Sequence, residues 1–95
     1  MSTAPALYMV IERFRPGAAA QIYQRARERG RMLPAGLEYL DSWVDLDLSR
    51  CFQLMRTADR MLIGTWIEAW TDLVEFEVVP VQGSAVAARA SNAAR

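Results

Sequence analysis

The sequence predicts a small α+β domain in which strands and helices follow the order β-α-β-β-α-β. Three observations carry this. Four short segments alternate or run apolar as strands do, two longer segments have helical spacing, and the turn-forming residues fall between them.

The first strand is LYMVIERF, residues 7–14, apolar on both faces as a central strand tends to be. Pro16 and Gly17 turn the chain. Residues 18–29 then have helical spacing, with Ala19, Ile22, Tyr23 and Ala26 in one stripe, and Gly30 stops the helix. The second strand runs from Leu37 to about Asp45, with Leu40, Val44 and Leu46 on one side and Tyr39, Asp41, Trp43 and Asp45 on the other. DLDLSR holds a turn, and Arg50 to Arg56 returns as the other arm of a hairpin. Thr57 or Asp59 caps a second helix through DRMLIGTWIEAW, whose stripe is Leu62, Trp66, Ala69 and Trp70 with Ile63 and Ile67 beside it. Gly64 within that helix costs about 1 kcal/mol relative to Ala, which implies a close neighbour. From Leu73 a fourth strand alternates Val74, Phe76 and Val78 against Glu75 and Glu77. The domain thus spans residues 7–81, after a flexible start at 1–6 and before an Ala-rich tail at 82–95, loose or briefly helical.

This order is the ferredoxin-like unit, a four-stranded, mainly antiparallel sheet in which right-handed crossovers put the first and third strands in the middle. Two helices cover one face of such a sheet. Leu40, Val44, Leu46, Phe52, Leu54, Val74, Phe76 and Val78 suit the covered side. The opposite face then carries Tyr8, Val10, Glu12, Tyr39, Asp41, Trp43, Cys51, Gln53, Met55, Glu75 and Glu77. That surface is too apolar for water and too acidic for a dry core. A second copy packed sheet to sheet is the economical cover, making a homodimer whose barrel can hold a small hydrophobic or aromatic molecule.

Composition removes several chemistries. The chain has no His, and its basic residues are all Arg, so His dyads, His-ligated haem and Lys Schiff bases are excluded. One cysteine, Cys51, forms no disulfide within the chain and reads as a small buried hydrophobe. No phosphate-binding glycine loop and no metal-ligand spacing is present, so neither cofactor nor metal is expected. Zero net charge argues against nucleic acid, and RARERGR reads as a solvated helix end. No apolar run reaches the roughly 20 residues that cross a bilayer, and MSTAPA lacks the features of a secretory signal, so a cytoplasmic protein is expected.

The segments MVIERFRPG, LPAGLEYLDSWVD, RCFQLM and WxxxWxDLVEFEVVPV resemble a bacterial family named domain of unknown function 3303, over residues 7–81. That family is similar to the dimeric α/β-barrel superfamily, which includes cofactor-independent monooxygenases, lactone isomerases, polyketide cyclases and haem-handling enzymes. The resemblance implies the fold and the dimer. It does not imply a reaction. The haem branches that use a His ligand do not fit a chain without His, and the monooxygenase branch often uses an Asn that here occurs only in the tail, as Asn92.

Two readings of the barrel stand side by side. In one, Glu12, Asp41, Glu75 and Glu77 crowd an enclosed space, and Glu12 becomes a general acid or base able to remove a proton alpha to a carbonyl. Tyr8, Tyr39, Asp41, Trp43, Gln53 and Glu75 then contact the ligand, with Tyr39 and Trp43 stacking and Gln53 orienting. Arg50 could anchor an anion at the mouth. In the plainer reading, Glu75 and Glu77 are a solvated strand face, and Glu12 pairs with Arg13 or Arg50 across the dimer.

Overall fold

In a computed structural model that describes residues 4–93, the chain forms β1 (Ala6–Phe14), α1 (Ala19–Arg29), β2 (Leu37–Val44), β3 (Arg50–Thr57), α2 (Met61–Glu68), β4 (Val74–Val81) and α3 (Ser84–Ala93). The strands lie in the order β2-β3-β1-β4, every neighbour antiparallel. This is the ferredoxin-like arrangement, with the two most uniformly apolar strands at the centre. Residues 1–3 of the expected flexible start and 94–95 of the tail lie outside the described residues; α3 takes up most of the rest of the tail.

α1 and α2 cover one face of the sheet. Between them lie Val10, Ala18, Ile22, Leu37, Met55, Ile63, Trp66, Trp70, Leu73 and Val74, all buried. Fully burying one such side chain contributes about 1.5–3 kcal/mol, so this layer is the main source of stability. Arg25, read as part of a solvated helix end, ties the helices together. Its guanidinium makes paired bonds of 2.8 and 2.7 Å to Asp72 and one of 2.9 Å to the Ala69 carbonyl.

The expected faces hold for β4 and reverse for β1 and β3. Phe76 and Val78 register against Glu12 and Val10, and Gln53 also against Val10, so Tyr8, Val10, Glu12, Cys51, Gln53 and Met55 lie beneath the helices. Phe52 and Leu54 instead share the uncovered face with Leu7, Met9 and Ile11. Both strands are apolar on both sides, so hydrophobicity alone does not fix their phase. In β2 the alternation switches midway. Leu40 is the extra residue of a bulge between Tyr39 and Asp41, which turns Tyr39 toward the helices and leaves Asp41 and Trp43 on the open side. The Asp41 carboxylate accepts the Ser42 N–H at 2.8 Å, a local bond that holds the irregularity. Leu46 is not covered; it stands fully exposed in the hairpin turn.

α2 starts where expected: the Asp59 carboxylate accepts the Met61 N–H at 2.9 Å, and Thr57 Oγ1 accepts the Asp59 N–H at 3.0 Å. Among the described residues the close neighbour expected at Gly64 is absent, since a methyl group there would meet nothing within 4 Å. The glycine that the backbone does favour is Gly36, whose φ is +94° and whose added Cβ would also lie 3.0 Å from Leu62 Cδ1.

The uncovered face is apolar in the middle and charged at its margin. Met9, Ile11, Phe52, Leu54 and Val79 are half-buried, and Trp43 is 51% exposed. Around them run the pairs Arg13–Glu77, Arg15–Glu75 and Arg56–Glu38, at 3.2, 3.2 and 2.8 Å. No helix among the described residues is long and apolar enough to cross a membrane.

Candidate functional site

A cavity of about 230 Å³ lies beneath the helices, at the end of the sheet where β1 closes and β3 begins. β1 supplies Glu12 and Phe14, β3 supplies Cys51 and Gln53, and β2, past its bulge, supplies Ser42 and Val44. α1 adds Ile22, Tyr23 and Ala26, and α2 with the turn after it adds Trp66 and Trp70. Arg31 closes the rim. The walls are mainly aromatic and aliphatic, with a few polar groups set among them, the usual make-up of a small-molecule pocket.

Glu12 is 6% exposed. Burial raises its carboxyl to about 7 from an ordinary 4.5, although the Gln53 amide and the Arg31 charge oppose the rise. The Gln53 side-chain N–H donates to Glu12 Oε1. The other half of that amide, Gln53 Oε1, is buried with no partner among the described residues. A buried acceptor left unpaired costs about 1–3 kcal/mol.

Cys51 is pushed up to about 12 by burial and by the negative charges of Glu12 and Asp45, against the Arg31 charge. It stays a neutral thiol, unsuited to nucleophilic attack. The Tyr23 hydroxyl is also raised, first by burial and then by the charges of Cys51 and Glu12.

Arg31 is positioned through its backbone and its side chain. Its carbonyl oxygen accepts the indole N–H groups of Trp66 and Trp70, at 2.8 and 3.3 Å. Its guanidinium lies 3.6 Å from the centre of the Tyr39 ring, a cation–π stack. Tyr39 is held in turn by a 2.6 Å hydrogen bond between its hydroxyl and Ser42 Oγ.

Of the residues expected to form the site, Glu12 and Gln53 meet in this cavity, and Tyr39 borders it through Arg31 and Ser42. Tyr8 shares their face but lies farther along β1, under Arg60. Asp41, Trp43 and Glu75 are on the uncovered face, separated from Glu12 by the sheet. The carboxylates therefore do not cluster: Glu75 and Glu77 bond Arg15 and Arg13. Arg50 pairs with Asp45 at 3.0 Å instead of standing ready for an anion or for Glu12. Among the described residues no group of three or more potential metal ligands comes together. Sequence reasoning missed Arg31, Tyr23 and Ser42. It took Trp66 and Trp70 as core, which they are while also walling the cavity.

A protein from Bacteroides thetaiotaomicron, described provisionally as an antibiotic biosynthesis monooxygenase, has a similar structure. It aligns with a TM-score of 0.52 over 83% of this chain and 89% of its own, at 15% identity, a likeness of fold alone. No curated protein matches. The model of the family described as Domain of unknown function (DUF3303) matches residues 6–95. The chain belongs to that family.

Proposed function

We propose that the chain is a binding protein for a small, planar, largely apolar molecule, held between the sheet and its two helices. The supporting observation is the cavity itself: about 230 Å³, walled by Phe14, Trp66 and Trp70. An apolar cavity of 150 Å³ is enough for benzene, so a single substituted ring is the fitting size. We also propose that it works as a homodimer in the cytoplasm, the apolar uncovered face packing against its twin. Isothermal titration with benzyl alcohol tests the binding. Wild type should bind, and Ala26→Phe, which fills the cavity from α1, should lose at least about tenfold in affinity. Equal binding by both proteins would remove the reading.

A second reading rests on Glu12. A carboxyl that titrates at about 7 is matched to proton transfer near neutral pH. The cavity would then host a cofactor-independent isomerisation or cyclisation or, as the name of the structural neighbour prompts, an oxygenation. Deuterium exchange alpha to the carbonyl of cyclohexanone, followed by NMR, tests the proton step. The protein should exceed buffer and Glu12→Gln should not; equal rates for all three would leave binding alone.

A further inference from the structure

The ligand class can be narrowed, on the premise that the cavity binds a small molecule at all. Arg13, Arg15, Arg25, Arg50 and Arg56 each have a carboxylate within 3.2 Å. Arg31 has none among the described residues; nor have Arg27, Arg29, Arg60 and Arg89, but of these five Arg31 is the one that lines the cavity. It is an exposed residue at the rim, held at two points. The two indole N–H groups hold its backbone oxygen, and the Tyr39 ring, steadied by Ser42, holds its guanidinium. A side chain that loses rotamer freedom without gaining an ion pair is pre-organised for something else. The planar guanidinium fork matches a carboxylate edge-on.

Glu12 makes the match specific. Its carboxyl lies within electrostatic range of Arg31 yet remains neutral on the acid side of its titration, so the guanidinium is not neutralised from inside the cavity. A protonated carboxyl also offers a donor to an anion. The remaining wall, Phe14, Ile22, Trp66 and Trp70, is apolar.

We propose that the pocket takes a small planar monocarboxylate of benzoate size, its carboxylate at Arg31 and its ring against Phe14, Ile22 and the two indoles. Glu12, Tyr23, Cys51 and Arg31 are the titratable and charged groups lining the cavity. Of these, Glu12 alone changes charge near neutral pH, and its ionisation opposes the bound anion.

Isothermal titration of the full chain with sodium benzoate and with benzyl alcohol, on the acid side of the Glu12 titration, separates this inference from the binding proposal. Benzoate should bind about tenfold or more tightly than the neutral alcohol. Arg31→Gln should erase that preference by weakening benzoate. Added salt should weaken benzoate only, a comparison in the unaltered protein that stands even if the variant does not fold. Alcohol binding as tight as benzoate would overturn the carboxylate assignment and keep the pocket. Binding of neither would overturn both.

Discussion

The side-chain amide of Gln53 donates to the Glu12 carboxylate from the adjacent central strand, and no group among the described residues satisfies its carbonyl oxygen. This buried pair makes stability depend on pH. Folded Glu12 titrates at about 7 and an unfolded glutamate at 4.5. Between those values the folded chain holds the proton more often, so the Glu12 contribution to stability is fully present below pH 4.5 and is lost as pH rises to about 7. The loss is of the order of 3 kcal/mol. Glu12→Gln should abolish this slope and be the more stable protein on the alkaline side. Urea unfolding at both ends of the window checks it; a slope unchanged in the variant would show that Glu12 is not the group responsible.

The face reversal of β1 and β3 shows what the sequence could and could not convey. Element order, strand centrality and the first-helix stripe follow from periodicity and turn residues, and the structure agrees with them. Their polar character suggests that Glu12 and Gln53 belong to the sheet face turned away from the helices. Inside, the Gln53 amide N–H meets Glu12 Oε1, a relation between residues 41 positions apart that no local pattern encodes. The bulge at Leu40 is similarly silent: Tyr39 and Trp43, four residues apart, share a side in regular alternation and lie on opposite sides here. Arg31 sits in a basic run, and only tertiary folding distinguishes it from its neighbours.

Two glycines should respond oppositely to alanine. Gly64 has empty space around it and lies inside α2, so Gly64→Ala should stabilise by about 0.5–1 kcal/mol. Gly36→Ala should destabilise by about 1 kcal/mol or more, since it combines positive φ with a contact on Leu62. Thermal melts of the two variants decide this; destabilisation by Gly64→Ala would mean that some partner does cover α2 there.

Cys51 should resist alkylation in the native protein. Its thiol is buried and raised to about 12, so at mildly alkaline pH almost none of it is thiolate. Iodoacetamide should label it only after denaturation, as read by intact mass. Rapid native labelling would reveal an open, activated thiol and contradict the cavity's electrostatics.

The uncovered face should govern association. Leu54→Asp puts a charge at the middle of its apolar patch without touching the helix-side core. We expect the wild type to sediment as a dimer and Leu54→Asp as a folded monomer. A monomeric wild type at tens of micromolar would remove the homodimer proposal and leave the cavity, which a single chain builds, unaffected.

Ligand chemistry belongs to the helix-covered side of the sheet. The three tryptophans sample both sides: Trp66 and Trp70 wall the cavity, and Trp43 stands on the opposite face. Fluorine NMR of protein labelled with 5-fluorotryptophan, titrated with benzyl alcohol, reads both at once. The Trp66 and Trp70 resonances should shift together and saturably while Trp43 stays still. A shift of Trp43 alone would put binding on the open face and contradict the site described here.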